Sequence, residues 1–146
     1  MSTQDLTQIA RQMLTGYNTA DWNTLKSTLA PGVIYNEHGS QRKIQGPDAI
    51  VQALQAWKKA LSDSQGKVTN AIAMGDTVAI EIIWSGTHDG TFTGPMGTLA
   101  PTGKKQTTPA SMIIKFSGQK MVQINHYFDL LTFLQQLGAM PAAAAR

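Results

Sequence analysis

The sequence contains no cysteine among its 146 residues. This absence excludes disulfide frameworks, thiolate zinc sites, iron–sulfur clusters and cysteine nucleophiles together. Charged residues are also scarce, at 14% of the chain, against about 25% in an average soluble domain. Hydrophobic residues make up 42%, whereas disordered chains combine few apolar residues with high charge. The composition therefore predicts an ordered globular protein with a substantial core.

Long apolar runs and a strong charge bias are both missing. No stretch approaches the roughly 18 apolar residues that a membrane-spanning helix needs. The net charge is +3, and the 12 basic residues are scattered, whereas a nucleic-acid binder shows a basic stripe with interleaved aromatics. No basic segment followed by an apolar stretch stands near residue 1, so we expect no secretory signal. We expect a cytoplasmic protein with neither nucleic-acid nor membrane partners.

Apolar residues at helical spacing predict four helices. They are residues 3–17, a short helix after Asp21, a helix opened by Gly46-Pro47-Asp48, and residues 130–137 ended by Gly138. We expect Ser2 or Thr3 to cap the first helix and Asp21 to cap the second. We expect Pro31 and Gly32 to end the second helix.

Apolar residues at period 2 predict five strands. They cover residues 33–38, 68–74, 77–88, 107–116 and 121–128. Residues 89–106 fit neither pattern, and a loop of that length is usually functional or mobile. Helices that are segregated from an antiparallel sheet give an α+β fold, and a curved sheet leaves a concave face for a small-molecule pocket. We expect one domain over residues 1–140 and a flexible tail over 141–146.

Asp129 is the first candidate for chemistry, because Phe128 and Leu130 flank it. Apolar surroundings raise the pKa of a carboxyl group and make it a general acid or base. Aspartate is also a favoured N-cap, and Leu130 begins the last predicted helix. Both roles stay open at this point, and they can coexist.

Two histidines lie on predicted strands. Period 2 places His88 on the same face as Trp84, and that face is apolar at one end and polar at the other, as a pocket wall is. A neutral imidazole there can donate a hydrogen bond to a substrate oxygen, although a strand end also suits a surface histidine. His126 alternates with apolar neighbours, which favours a core or interface histidine.

A cluster of polar side chains ends the first predicted strand. Tyr35 and Glu37 point to one face of that strand, and Asn36 and His38 point to the other. The cluster either supplies hydrogen bonds to a substrate or is a strand that runs into a polar turn. The second glutamate of the chain, Glu81, is mid-strand, and we expect it to be paired or at an interface.

Several familiar sites are absent from the sequence. The three histidines show no metal-ligand spacing such as His-x3-His. The chain contains no GxGxxG, Walker or Gly-x-Ser-x-Gly motif, so the usual nucleotide sites and the serine-hydrolase elbow are not expected. We expect neither a metal nor a cofactor.

Several stretches of the chain, taken in order, resemble the SnoaL-like polyketide cyclase (ester cyclase) group of the nuclear transport factor 2-like superfamily. They are Glu37-His38-Gly39, Gly46-Pro47, residues 84–90 (WSGTHDG), residues 101–104 (PTGK), and Tyr127-Phe128-Asp129 followed by residues 135–138 (QQLG). The resemblance implies a cone-shaped, curved antiparallel sheet that is wrapped by N-terminal helices. It also implies a deep apolar pocket inside the cone.

The same resemblance implies an activity and a set of site residues. In the antibiotic cyclases of this group, the aspartate that matches Asp129 is the acid/base of a cofactor-free intramolecular aldol closure, and His88 matches a pocket histidine. We therefore expect Asp129 and His88 to be catalytic. Residues 111–114 (SMII) replace a polar, partly histidine-bearing strand of those cyclases, so we expect a more apolar pocket. The expected substrate-binding residues are Tyr35, Asn36, His38, Trp57, Trp84, Met112 and Tyr127.

Three functions are compatible with these residues. In the first, Asp129 removes a proton beside a carbonyl while His88, Asn36 and Tyr35 stabilise the oxyanion, for aldol-type cyclisation or isomerisation of a hydrophobic ketone or ester. The second is an epoxide hydrolase or hydratase of the same fold. The hydrolase is disfavoured because its Asp-Arg-Asp arrangement needs an arginine, and none lies on a predicted pocket strand. The third is a non-catalytic module that binds a small ligand.

The predicted strands carry more apolar residues than one core can hold. Ile83, Ile113 and Met121 cannot all face a single small core. We therefore expect the outer face of the sheet to form a homodimer or a larger homo-oligomer. The other expected partner is a hydrophobic small molecule.

Overall fold

The fold is described from a computed structural model that covers residues 3–94 and 97–139, with side chains from residue 5 onward. The helices are α1 (Thr3–Asn18), α2 (Trp22–Ser27), α3 (Pro47–Ala60) and α4 (Leu130–Leu137). The strands are β1 (Leu29–Glu37), β2 (Arg42–Gln45), β3 (Gln65–Met74), β4 (Thr77–Thr87), β5 (Phe92–Gly94), β6 (Gly97–Leu99), β7 (Lys105–Ser117) and β8 (Lys120–Phe128). None of the described helices has the length and apolar character needed to cross a membrane.

Six of the strands form one curved, unclosed sheet in the order β2-β1-β8-β7-β4-β3. β1 and β8 run parallel, and the other neighbouring strands run antiparallel. Helix α1 packs across β3 and β4, while α3 packs against β1 and β2. The α+β architecture expected from the sequence is therefore confirmed.

The main core fills the space between the sheet and the N-terminal helices. The inward residues of β4 and β7 alternate with outward residues, as their period-2 patterns predict. The largest fully buried side chains of these two strands include Ile80, Ile82 and Ile114. A second, smaller apolar cluster lies where α3, β5 and α4 meet, and it contains Leu61, Phe92 and Phe133.

The structure confirms the predicted start of α2 and moves its predicted end. Asp21 caps α2 as expected, because its side chain accepts from the Thr24 amide at 3.1 Å. Helix α2 nevertheless ends at Ser27, and Pro31 and Gly32 lie within β1, where the pairing with β8 shifts register. A register shift tolerates proline because the ladder is already interrupted there. The cap at Ser2 or Thr3 and the tail over 141–146 fall outside the described side chains and residues.

The short strands of the structure have a weak sequence pattern and were not predicted. The segment 89–106 contains β5 and β6, which pair as a small separate hairpin. Strand β2 was not predicted either, although it pairs with β1 in register from Ile34 to Glu37. Strands of three or four residues carry too few alternations to stand out from the turns beside them.

The outer face of the sheet differs from its prediction at one position. Met121 is fully buried, because a register shift between Lys115 and Phe116 turns it into the core. Ile113 is 36% exposed and Ile83 is half-buried, so these two remain on the outer face. Glu81 is exposed there, and its Oε1 accepts from the side-chain Nδ2 of Asn70 at 3.4 Å. The homodimer stays a prediction.

Gly66 provides a test of the packing beneath the sheet. A Cβ atom at Gly66 would stand 2.6 Å from the Trp84 ring and 2.8 Å from Leu14. We predict that Gly66→Ala lowers the free energy of unfolding by about 1–3 kcal/mol, the usual result of overpacking a core. Urea denaturation followed by circular dichroism measures the change.

The matched control for this test is Gly32→Ala. A Cβ atom at Gly32 meets nothing within 4 Å, so the control should stay within about 0.5 kcal/mol of the parent protein, as surface substitutions usually do. A Gly66→Ala variant as stable as the control would show that Trp84 does not pack tightly on β3.

Candidate functional site

A cavity of about 570 Å³, counted with its mouth, lies between the concave face of the sheet and helices α1, α3 and α4. Aromatic and aliphatic side chains form most of the wall: Tyr17, Tyr35, Leu54, Trp57, Leu61, Trp84, Phe128 and Phe133. The polar lining residues are Glu37, Ser64, Gln106, Thr108 and His126.

Three of the expected substrate-binding residues line this cavity. Tyr35, Trp57 and Trp84 come from β1, α3 and β4 and meet in its wall. Met112 instead lines a smaller adjoining void of about 230 Å³, which shares Tyr35 and Trp84 with the main cavity. The sequence therefore predicted three of the six aromatic residues of the wall, while the contact of these three with a substrate stays a prediction.

A chain of hydrogen bonds crosses the cavity wall from β4 to β1. The indole Nε1 of Trp84 donates to Nε2 of His126 at 3.2 Å. On the other side of the same ring, Nδ1 of His126 lies 2.7 Å from the Tyr35 hydroxyl. Burial is the main cause that lowers the pKa of His126 to about 3, and the nearby His38 adds to this effect. The imidazole is therefore neutral at physiological pH.

The Tyr35 side chain is held in its neutral form. Burial raises the pKa of its hydroxyl well above the ordinary value, and the negative charge of Glu37 raises it further. A neutral phenol is a hydrogen-bond donor as well as an acceptor. Tyr35 is 1% exposed, so its hydroxyl is shielded from bulk water.

Glu37 is the carboxylate of the described cavity wall, and three side chains bind it. Oε1 accepts from Arg42 at 3.0 Å and from the Ser40 hydroxyl, and Oε2 accepts from the indole of Trp57 at 3.0 Å. Glu37 is 1% exposed, and a carboxylate is buried in this way only when it is paired and hydrogen-bonded. Each carboxylate oxygen has two acceptor sites, so Oε2 retains one beyond Trp57.

Tyr17 forms a second polar point, at the α1 side of the cavity. Its hydroxyl lies 2.7 Å from Ser64 Oγ, and burial raises its pKa to about 12. The Lys58 ammonium lies 4.8 Å from the centre of the Tyr17 ring, a cation–π contact, and donates to the Ser64 carbonyl at 2.5 Å. Desolvation lowers the pKa of Lys58.

Three expected substrate-binding residues lie on the outer face of the sheet instead. Asn36 donates to the Asn125 side chain at 3.0 Å, and His38 lies 3.1 Å from the same oxygen. The His38 ring stacks on Tyr127 with centroids 4.5 Å apart. Successive side chains of a strand point to opposite faces of the sheet, and these three residues in or next to β1 and β8 face away from the cavity. The expected roles of Asn36, His38 and Tyr127 in that cavity are therefore wrong.

Asp129 does not lie in an apolar environment. It is exposed and caps α4, where its carboxylate accepts from the amide and the hydroxyl of Thr132 at 3.0 and 2.6 Å. These hydrogen bonds lower the pKa of Asp129, and the bond from the Thr132 hydroxyl has the larger effect. The expectation of a buried acid/base with a raised pKa is therefore wrong, because Phe128 and Leu130 point elsewhere while the cap turns the carboxylate toward the helix amides.

His88 is buried but does not line the cavity. Its Nδ1 accepts from the Thr102 amide at 3.3 Å and lies 3.1 Å from the Thr102 hydroxyl. Its backbone bonds to Lys104 and Gly103. The side chain is 1% exposed, and within the described residues its Nε2 has no partner. His88 therefore anchors the segment before β7, and it lies outside the residues that line the cavity.

Sequence reasoning placed none of the five polar lining residues in the expected site. His126 is a satisfied core histidine, as expected, but it also faces the cavity. The alternation of β1 placed Glu37 on the same face as Tyr35, and that signal identified the residue without its role. Gln106 lies just before the predicted start of β7, and its Oε1 accepts from Thr108 at 2.6 Å. The described residues contain no group of three acidic or histidine side chains arranged to hold a metal.

Comparisons with known proteins agree on the fold. The model of the SnoaL-like polyketide cyclase family matches residues 7–137. A search among curated proteins gave no match. Three solved structures are similar: AclR, a proposed hydroxylase from Streptomyces galilaeus (22% identity, 96% of this chain and 89% of that chain, TM-score 0.81), a proposed SnoaL-like polyketide cyclase from Jannaschia sp. CCS1 (18%, 95% and 95%, 0.84), and IdmH, a proposed polyketide cyclase from Streptomyces antibioticus (20%, 91% and 98%, 0.78).

The cap role of Asp129 can be tested by its pH dependence. Because folding lowers the carboxyl pKa, its stabilising effect is complete above the unfolded pKa of about 3.9 and is lost as the pH falls through the folded value. We predict that Asp129→Ala lowers the melting temperature at pH 7 and that the deficit shrinks below about pH 4. Thermal melts of both proteins over the range from about pH 2 to about pH 7 measure how the difference in melting temperature depends on pH. A deficit that is independent of pH would contradict the charged cap.

Proposed function

The chain belongs to the SnoaL-like polyketide cyclase family, and from this premise we propose that it acts on a hydrophobic carbonyl compound in the aromatic cavity, by acid/base chemistry without a cofactor. The reaction is an aldol-type cyclisation or an isomerisation. The observation that carries this proposal is the buried Tyr35 hydroxyl, which ends the hydrogen-bond chain from Trp84 and His126 at the cavity wall.

The composition of the wall supports a substrate that is mainly apolar. Eight of the thirteen lining side chains are aromatic or aliphatic, if the two tyrosines are counted with them. A site of this kind gains affinity from buried apolar surface and takes its orientation from a few polar groups. The polar groups here are concentrated on β1, β7 and β8, at Glu37, Gln106 and His126.

The Tyr35 hydroxyl supplies the electrophilic group of the proposal. When a proton leaves the carbon beside a carbonyl, negative charge develops on the carbonyl oxygen. A preorganised donor in a water-excluded site stabilises that charge far better than a solvated one. Tyr35 meets these conditions because it is buried and neutral. It replaces His88 and Asn36, which the structure places outside the cavity.

Glu37 supplies the proton acceptor, in place of Asp129. In the proposed step, the C–H bond next to the carbonyl breaks, its proton goes to the free acceptor site of Glu37 Oε2, and its electron pair moves into the enolate. In a cyclisation, the enolate carbon then bonds to a second carbonyl carbon of the same molecule, and Glu37 returns the proton to the new alkoxide. In an isomerisation, the proton returns to another carbon.

A binding module without chemistry is the second candidate. The observation that favours it is the number of donors on Glu37: Arg42, Ser40 and Trp57 all bind its carboxylate, so most of its acceptor sites are already occupied. The epoxide hydrolase alternative has less support, because Arg42 reaches Glu37 from β2 but the described cavity wall holds no second carboxylate.

Removal of the Tyr35 hydroxyl tests the electrophilic group. The probe is 2-tetralone, a bicyclic ketone whose exchange of α-protons for deuterium is followed by proton NMR. We predict that Tyr35→Phe slows the protein-catalysed exchange by about 10²–10³-fold, the usual effect of deleting one oxyanion donor. The phenyl ring keeps the shape of the wall, so binding of 2-tetralone should change much less than the rate.

The matched control is Tyr127→Phe, which removes a phenol hydroxyl from the outer face of the sheet. Tyr127 is 45% exposed and stacks on His38 away from the cavity. The Tyr127→Phe variant should exchange the α-protons of 2-tetralone at the rate of the parent protein. Equal rates for Tyr35→Phe and Tyr127→Phe would contradict the assigned role of Tyr35.

Neutralisation of Glu37 separates the enzyme from the binding module. We predict that Glu37→Gln lowers the exchange rate by about 10²–10⁴-fold, the contribution of a general base, while 2-tetralone still quenches the tryptophan fluorescence. Glu81→Gln, a change at the exposed glutamate of β4, is the control. If the parent protein binds 2-tetralone and other ketones but exchanges none of them, the binding module is the correct function.

A further inference from the structure

The proton positions along the chain Trp84–His126–Tyr35 follow from the chemistry of the three groups. An indole nitrogen can only donate, and Trp84 Nε1 points at His126 Nε2 across 3.2 Å. Nε2 therefore carries the lone pair and not a proton. A neutral imidazole has one proton, so this proton lies on Nδ1.

The proton on Nδ1 of His126 determines the direction of the hydrogen bond with Tyr35. Nδ1–H of His126 faces the Tyr35 oxygen at 2.7 Å, so the hydroxyl oxygen accepts this hydrogen bond. Its own proton must point elsewhere, and no acceptor for it is found within the described part of the chain. Tyr35 lines the main cavity, so a ligand there is the available partner for the hydroxyl proton.

We propose that Trp84 is a positioning residue that fixes the tautomer of His126 and thereby makes Tyr35 a hydrogen-bond donor toward the cavity. This inference rests on the proposed function and narrows it: the site selects ligands that present an acceptor, such as a ketone oxygen, at Tyr35. Trp84 acts through His126 and not on the reacting atoms. Its N–H sets the polarity of a hydroxyl two side chains away.

The packing around Trp84 holds the indole in the orientation that this role requires. The indole and the Tyr17 ring meet in a T-shaped contact with centroids 5.2 Å apart. On the β3 side, the ring lies so close to Gly66 that a Cβ atom there would stand 2.6 Å from it. Strand pairing adds to this, because Trp84 lies opposite both Gly66 of β3 and Thr108 of β7.

Loss of the indole N–H should reverse the direction of the hydrogen bond between His126 and Tyr35. Without a donor at Nε2, His126 is free to carry its proton there and to leave the lone pair on Nδ1. The Tyr35 hydroxyl would then donate to Nδ1 and would present its oxygen lone pairs to the cavity. The site would change from a donor to an acceptor, with the same side chains at Tyr35 and His126.

The test compares the ring nitrogens of His126 in protein labelled with ¹⁵N-histidine. In the parent protein, NMR should show a protonated Nδ1 and an unprotonated Nε2. We expect Trp84→Phe to move His126 toward the Nε2–H tautomer. An unchanged tautomer in Trp84→Phe overturns the proposal, since the indole would then have no control over the ring.

Two further variants separate this effect from a loss of packing. Trp22→Phe also removes an indole that packs edge-on against Tyr17, at 5.9 Å, but it is not bonded to His126, so the tautomer should not change. Replacement of Trp84 by 3-benzothienylalanine keeps the shape of the side chain and lacks the N–H. This variant should change the tautomer as Trp84→Phe does, and it serves as the test if Trp84→Phe does not fold.

The infrared carbonyl band of ¹³C-labelled 2-tetralone reports the polarity of Tyr35. The band should shift to lower frequency in the parent protein and in Trp22→Phe, and the shift should disappear in the two Trp84 variants. A full shift in the Trp84 variants overturns the proposal. A changed tautomer together with no shift in the parent protein supports the control by Trp84 and shows instead that the proposed carbonyl function is wrong.

Discussion

The parallel pairing of β1 with β8 is the constraint on which the site depends. It sets Tyr35 beside Ile124 and Glu37 beside His126, with all four side chains on the concave face. Because side chains alternate along a strand, a shift by one residue would turn this set outward. The residues that now form the outer Asn36–Asn125 contact would then enter the cavity. The hydrogen-bond chain therefore exists only in this register.

The cavity combines apolar walls with polar groups that are each held by a partner. Glu37 is balanced by Arg42 and two further donors, Tyr17 bonds to Ser64, and both nitrogens of His126 are occupied. Unpaired polar groups in such a place would cost several kcal/mol each, roughly the value for a lost hydrogen bond in a low-dielectric site. The Tyr35 proton is the exception, and it is the group to which the proposed chemistry is assigned.

Local pattern predicted most of the elements and three of the thirteen residues that line the main cavity. Period 2 on β4 and β1 was enough to place Trp84, Tyr35 and Glu37 on inward faces, because it depends on neighbouring residues alone. The partner of Tyr35 could not be predicted, since His126 is 91 residues away in sequence and its register follows from the whole sheet. Met121 and Asp129 were misplaced for local reasons: a bulge reversed one, and the geometry of a helix cap turned the other toward the amides of α4.

The same pairing has a consequence for how the protein folds. The contacts between β1 and β8 join segments that are separated by most of the described chain, and such contacts form slowly because a long loop must close first. During synthesis, β1 leaves the ribosome well before β8 and has only β2 as a strand neighbour until then. Tyr35 and Glu37 therefore remain without His126 for most of translation. The wall that β1 and β8 share can close only once β8 is available, whereas the antiparallel hairpin β3–β4 can form before it.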